Sequence, residues 1–241
     1  MKISTFAIFV FLGQGLWANP QSNKIIGTND LVLVDAEATN IPLKYKDIVN
    51  AFGLMSMGCT ATHIGGGYVL TAGHCFFAGQ VLKRDLPCPE IRIEWGVRDG
   101  LTPYLVSKCE RITAIQLNGP LDFAILKVSP APSAQVAIDY TNKPLAGDTV
   151  TIFSHPDELP LHWSKTCVVE EGAGNSKLPA DTLYHTCDTN QGSSGALILN
   201  TDSLKAVAIH AGGQSDATGA MNYGSYLSHP EIADILKELG F

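Results

Sequence analysis

From residue 31 to residue 227 the apolar positions fall into short runs rich in Val, Ile, Thr and aromatic side chains, and Gly, Pro, Asn or Asp separates them. Runs of this kind predict β-strands bounded by turns. The first set is Leu31–Asp35, Ala51–Ile64, Tyr68–Ala72, Ile91–Val97, Tyr104–Gln116 and Phe123–Val128. A second set is Thr149–Phe153, Trp163–Glu170, Thr182–Thr186, Ala196–Leu199, Ala206–His210 and Met221–Leu227. Ala196–Asn200 and Lys205–His210, with only four residues between them, predict a hairpin, and Gly65-Gly-Gly67 predicts another tight turn. The period changes only at the end. There Ile232, Ile235, Leu236 and Leu239 recur on one helical face, Pro230 suits the first turn and Gly240 the stop. Ser129-Pro-Ala-Pro-Ser133 is proline-broken and falls between the two strand sets, where it reads as a linker. The expectation is an all-β chain of two domains, residues 25–130 and 131–228, with a short helix in 229–241 packed on them.

The start of the chain follows a different pattern. Met1-Lys2 is positive, Ile3 to Leu12 is almost unbroken apolar sequence, and Gly13, Gly15 and Ala18 make a small-residue exit. That is the layout of a secretory signal peptide over residues 1–18. The run is too short to span a bilayer comfortably, so no stable membrane insertion is expected. Six cysteines, an even number, fit an exported protein that forms disulfides, with about 15 pairings open. No two of them are spaced C-x-x-C and no H-E-x-x-H occurs, which argues against a metal site. With 241 residues, 45% hydrophobic and 16% charged, there is enough apolar material for one large core or two small ones. The net charge of −7 and the lack of any basic run argue against nucleic acid as a partner.

Three segments carry candidate chemistry: Leu70-Thr-Ala-Gly-His-Cys75, Leu121-Asp-Phe-Ala-Ile-Leu126 and Gln191-Gly-Ser-Ser-Gly-Ala196. A serine hydroxyl attacks an amide only when a base takes its proton. A histidine can do this and return the proton to the leaving amine, if a carboxylate holds the right tautomer. Backbone N–H groups must meet the developing oxyanion, and glycines beside the serine permit the tight turn. One residue type for each role is present, in the order His, Asp, Ser. The order Ser, Asp, His and the strand–helix alternation of the α/β-hydrolases are both missing.

These segments resemble the signature motifs of the chymotrypsin-like serine peptidases. The resemblance implies two packed antiparallel β-barrels with the active site in the crevice between them. It makes His74 the general base, Asp122 its orienter and Ser194 the nucleophile, with the N–H groups of Gly192 and Ser194 as oxyanion hole. It implies protein or peptide substrates, no cofactor and a monomeric enzyme, secreted or periplasmic. Cys59 and Cys75 match the family disulfide that braces the histidine loop. The others would pair as Cys88 with Cys109, mainly by elimination, and Cys167 with Cys187, which would hold the specificity pocket.

Lys24-Ile-Ile-Gly27 resembles the site at which such zymogens are cut, leaving a short propeptide of residues 19–24. Ser193 stands where the digestive branch has the aspartate that pairs with the new terminus. The long stretch to Cys59 and the short one from Asp122 to Ser194 look closer to the bacterial glutamyl endopeptidases. For the substrate pocket three readings stay open, a small or broad preference being the last. Asp188 stands where trypsin-like enzymes capture Lys or Arg. Thr189 and His210, with Gly212 in Ala208-Ile-His-Ala-Gly-Gly213, match positions at which glutamyl endopeptidases bind a carboxylate. His63, His155, His162, His185 and His229 read as surface or hydrogen-bonded residues, and Trp95 and Trp163 as core or rim aromatics.

Overall fold

Alternation and its absence both shape the strands. Along Arg92–Trp95 the charged residues face solvent while Ile93 and Trp95 are fully buried, the mark of a strand with one wet face. Leu121–Ser129 is buried on both faces for most of its length, because it is covered by strands on one side and by the second half of the molecule on the other. The structure is a computed structural model that describes residues 24–76, 79–172, 181–216 and 219–241, without the side chains of 214–220. The expected signal peptide, and residues 19–23 of the expected propeptide, lie outside the described residues.

Among the described residues fifteen strands follow in order. They are β1 (Val32–Leu33), β2 (Phe52–Met55), β3 (Thr60–Gly65), β4 (Tyr68–Thr71), β5 (Lys83–Pro87), β6 (Arg92–Trp95), β7 (Leu105–Asn118) and β8 (Leu121–Ser129). The rest are β9 (Thr149–Ser154), β10 (His162–Trp163), β11 (Cys167–Glu170), β12 (Thr182–His185), β13 (Leu197–Asn200), β14 (Ala206–Asp216) and β15 (Gly219–Tyr226), before helix α1 (Pro230–Glu238). All the strand pairings are antiparallel. β7-β6-β2-β3-β4-β8 closes on itself through β7–β8, and β9-β11-β12-β15-β14-β13 closes through β9–β13. Each ring is a six-stranded barrel, so no long sheet edge is left bare. β5 hangs on β7 outside the first ring, and β10 with β1 on β9 outside the second.

The core lies in three layers. Met55, Val69, Ile93, Trp95, Ile112 and Leu126 fill the first barrel, and Val150, Ile152, Leu183, Ile198 and Ala208 the second. Between them Phe52, Leu70, Phe123, Phe153, Leu197 and Ile209 pack face to face with Ile232, Ile235 and Leu236 of α1. Phe52 of one barrel stacks on Phe153 of the other, ring centres 5.1 Å apart. That apolar seam sets the two barrels against each other and fixes the crevice at its rim.

Several expectations shift. Ala51–Ile64 is two strands, because the chain turns at Gly58 (φ +84°) and Cys59. Trp163–Glu170 is likewise split, at Lys165 (φ +57°). Lys83–Pro87 escaped notice because its charged residues are exposed along an outer strand. β1, expected in the first domain, pairs with β10 of the second, so the N-terminal segment crosses the boundary at residue 130. Trp95 is a core residue, and Trp163 is half-buried beside the interbarrel seam.

Candidate active site

β4 ends at Thr71, and a single 3-10 turn, Gly73–Phe76, carries His74. The turn sits so close on β7 and β8 that a Cβ on Gly73 would stand 2.4 Å from the Gln116 carbonyl oxygen and 2.9 Å from that of Phe123. Only glycine tolerates that approach. Its effect is to lay His74 on Asp122 at the start of β8. Asp122 Oδ1 accepts the His74 backbone N–H at 2.8 Å, and Oδ2 lies 2.6 Å from His74 Nδ1. A carboxylate only accepts here, so Nδ1 carries the proton and Nε2 presents its lone pair outward. Asp122 is itself pinned across the seam, its N–H donating to Ser225 Oγ of β15 at 2.9 Å.

Ser194 comes from the second barrel, in the turn before β13. Gly192 and Gly195 flank it at φ +89° and +87°. A Cβ on Gly195 would meet Thr71 Oγ1 at 2.1 Å and the Ala72 nitrogen at 2.8 Å, so this turn packs against the chain two residues before His74. β3 clamps the same turn: Thr60 N–H donates to the Ser194 carbonyl at 2.9 Å and Thr60 Oγ1 to the Gly192 carbonyl at 2.8 Å. The Cys59–Cys75 disulfide, Cα atoms 6.5 Å apart, ties that clamp to the His74 turn. Among the described residues no hydrogen bond joins Ser194 Oγ to His74. The N–H groups of Gly192 and Ser194 likewise find no acceptor there, whereas Ser193 N–H donates to Asn190 O and Gly195 N–H to His210 O. Among the described residues two donors on the serine turn are therefore unpaired.

Ser193 is fully buried, with its hydroxyl 3.0 Å from Ser154 Oγ and accepting the Asn190 N–H at 3.2 Å. Cys59, His74 and Cys75 bring three ligand-type atoms within 4.8 Å, but the two sulfurs are bonded to each other and offer no thiolate. The remaining disulfides are Cys88–Cys109 and Cys167–Cys187, the pairs expected.

Around the expected pocket, Thr189 and His210 are fully buried, and Thr189 Oγ1 and His210 Nε2 lack partners among the described residues. His210 Nδ1 lies 3.1 Å from His185 Nε2, and the two rings meet edge to face. Burial pushes the pKa of His185 down to about 3 and that of His210 well below its usual value, so both are neutral. His210 therefore offers a carboxylate no resident charge. Gly212 sits at a bulge opposite Tyr223, whose hydroxyl oxygen would stand 2.8 Å from a Cβ there. Asp188 differs from the free pocket carboxylate expected of it: Oδ1 accepts the Ile26 N–H at 2.8 Å and Oδ2 the Asp30 N–H at 2.6 Å.

His185, Asn222, Thr60 and Ser225 were not singled out by sequence as site residues. His63, His155 and His185 prove buried rather than superficial, and each is hydrogen-bonded. A histidine in a strand whose every residue is buried, as His185 is in β12, was the one available signal.

Two closed barrels with these elements at their junction form the chymotrypsin-like fold. Residues 59–209, more than half of the chain, match the model of the trypsin-like peptidase domain, and the chain belongs to that family. It is a serine peptidase and so a hydrolase. Among solved structures, a Glu endopeptidase bound to MPD superposes with TM-score 0.66 at 18% identity, covering 89% of this chain and 98% of that one. Rv3671c of M. tuberculosis H37Rv, in an inactive mutant form, gives TM-score 0.59 at 14% identity, covering 89% and 96%. The Rv3671c protease in its inactive form gives 0.57 at 15%, covering 87% and 98%. At these identities the likeness is one of fold. Comparison with curated protein sequences gives no match.

Proposed function

We propose that the protein is an exported endopeptidase that works through an acyl-enzyme, with His74 as general base, Asp122 as its orienter and Ser194 as nucleophile. The observation that carries this reading is the 2.6 Å contact from His74 Nδ1 to Asp122, which leaves Nε2 as a proton acceptor. Ser194 loses its proton to Nε2 as it attacks the substrate carbonyl. The oxyanion is met by the two free N–H groups of Gly192 and Ser194. The imidazolium then gives its proton to the departing amine, and water repeats the cycle on the ester. Three disulfides suit an oxidising compartment and support export. Cleavage after Lys24 yields the mature chain beginning at Ile25.

For the pocket we favour a preference for Glu at the cleaved bond. The unpartnered Thr189 Oγ1 and His210 Nε2 support it, since both are hydrogen-bonding atoms buried without a ligand. A carboxylate bound there would draw a proton onto the neutral His185–His210 pair. Preference for Lys or Arg is the second reading, and the two backbone bonds that occupy Asp188 weigh against it.

A fluorophosphonate probe tests the chemistry: wild-type protein should label at Ser194, and His74→Ala should label at a rate lower by orders of magnitude. Equal labelling of the two would refute the assigned base, and no labelling of either would favour a silent binding relative. Matched chromogenic peptides ending in Glu or Arg test the pocket, and turnover of the Arg peptide alone would overturn the Glu preference.

A further inference from the structure

Three successive peptide carbonyls on the serine turn are each held by a different partner. Ser193 O accepts the Ala196 N–H at 3.1 Å, a bond made within the turn itself. Gly192 O accepts Thr60 Oγ1 of β3 at 2.8 Å. Gln191 O accepts the Asp157 N–H at 2.5 Å, from the loop that follows β9. These peptides are trans, so each N–H points opposite to the carbonyl of its own peptide unit. Holding the Ser193 carbonyl therefore aims the Ser194 N–H, and holding the Gln191 carbonyl aims the Gly192 N–H away from Asp157. The second aim is the weaker one. Gly192 has no Cβ and φ +89°, so the Gln191–Gly192 peptide can turn over at little steric cost. Turned over, it would present a carbonyl oxygen where the oxyanion forms.

The loop His155–Leu159 meets that peptide at close range. A Cβ on Gly192 would stand 2.5 Å from the His155 carbonyl oxygen and 3.2 Å from the Asp157 nitrogen. Asp157 and Glu158 both have positive φ, +54° and +60°, a costly arrangement for two adjacent residues that carry side chains. It persists because hydrogen bonds pin the loop. His155 N–H donates to Thr60 Oγ1 and its Nδ1–H to the Leu159 carbonyl, both at 2.9 Å. Leu159 N–H donates to Pro156 O at 2.9 Å. Asn190 Nδ2 donates to Asp157 Oδ2 at 2.7 Å. Asp157 thus grips two adjacent residues, Asn190 through its carboxylate and Gln191 through its backbone N–H.

We propose that Asp157 is a positioning residue of the oxyanion hole, holding the Gln191–Gly192 peptide in the orientation that offers the Gly192 N–H to substrate. The proposal rests on the reading of Ser194 as nucleophile with Gly192 as one of its two donors. Asp157 is not a reacting group and acts through the peptide. Its N–H binds the Gln191 carbonyl, and its tie to Asn190 keeps that N–H in place. Aspartate also suits the position, since Asp and Asn adopt positive φ more readily than other residues with a side chain. Loss of one oxyanion donor costs about 10²–10³ in kcat, which bounds what Asp157 contributes.

The test compares two variants. In Asp157→Val the branched side chain resists positive φ and leaves Asn190 without its acceptor, whereas Asp157→Asn keeps both features. Substrates are chromogenic peptide anilides that extend no further than the leaving group, so nothing beyond the cleaved bond reaches the loop. Asp157→Val should lower kcat by about 10–100-fold with KM within about threefold, and Asp157→Asn should restore kcat to within about threefold of wild type. The pH profile of acylation should stay in place, because His74 and Asp122 are untouched, and a shifted profile would overturn the proposal. An infrared spectrum of the acyl-enzyme at Ser194, with an isotope-labelled acyl carbonyl, reads the hole itself. Wild-type protein should show a strongly hydrogen-bonded carbonyl band, and Asp157→Val a band at higher frequency. Equal kcat and an unshifted band in Asp157→Val would overturn the role of Asp157, as would a loss of kcat that Asp157→Asn shares. Wild-type protein that forms no acyl-enzyme at Ser194 would instead overturn the assignment of the nucleophile, and the proposal with it. If Asp157→Val does not fold, amide hydrogen exchange in wild-type protein decides. The Asp157 amide, although its residue is exposed, should exchange at least about tenfold more slowly than a free loop amide. Exchange at the free rate would overturn the hold on Gln191.

Discussion

Lowering the pH from 7 to 5 perturbs three histidines that the fold keeps neutral. His155 and His185 are fully buried, and burial holds their pKa at about 4 and about 3, with His210 also pushed well down. In the unfolded chain each imidazole titrates at its ordinary value of about 6.5. Above that pH both states are neutral, and these residues add no pH dependence. Below it the unfolded chain takes up protons that the folded chain refuses until its own lower pKa is reached, so stability falls as the pH falls. For His155 and His185 the deficit at pH 5 is about 1.5 pH units, or about 2 kcal/mol each, and His210 acts in the same direction. Those two together reach on the order of 4 kcal/mol, a large part of the roughly 5–15 kcal/mol that holds a typical domain. Carboxylates contribute in a lower window: Asp139, bonded to Thr141 and Asn142 and held at about 2, loses its contribution only as the pH falls from about 4 towards 2. Thermal unfolding followed by circular dichroism, on Ser194→Ala protein to prevent self-digestion, should show Tm dropping by at least about 8–16 °C between pH 6.5 and 5. His155→Gln should remove about 2 kcal/mol of that loss, since its imidazole no longer titrates. A Tm that stays level down to pH 5 would show that these imidazoles are not buried neutral.

Three further outcomes follow from the site. Ser194→Ala should lower kcat on the order of 10⁴–10⁶-fold with Tm nearly unchanged, and residual turnover of a few per cent would mean that the nucleophile lies elsewhere. Gly73→Ala drives a Cβ to 2.4 Å from the Gln116 carbonyl. It should cost about 1–3 kcal/mol of stability and, by shifting His74 off Asp122, at least roughly 100-fold in kcat, both read on one purified sample. Replacing Cys167 and Cys187 together by Ala opens a loop of separation 20 beside the pocket. Urea unfolding should then give a stability lower by about 3 kcal/mol, and an unchanged midpoint would deny that bond a structural role.

Local pattern carried much of this protein. The periods of two and of three to four residues located most of the strands and α1, because burial of one face leaves that trace along the chain. The segments around His74, Asp122 and Ser194 were legible because each candidate role demands one residue type and a glycine at a fixed offset. The strand at Lys83–Pro87 was not legible, since an outer strand with exposed charges has no apolar face to announce it. Tertiary structure decided what distance along the chain conceals. Ile26 and Asp188 are 162 residues apart, and only closure of the second barrel with the N-terminal segment laid across it turns that carboxylate from the expected pocket to the Ile26 and Asp30 N–H groups. His185 and His210 stand 25 residues apart on strands β12 and β14, which both flank β15. Nothing in either strand alone says that the two rings meet or that burial keeps both uncharged. Residue type and spacing thus determined which groups were available for chemistry. The packing of two barrels determined their partners, protonation and direction, because those depend on neighbours that only the closed sheets bring within reach.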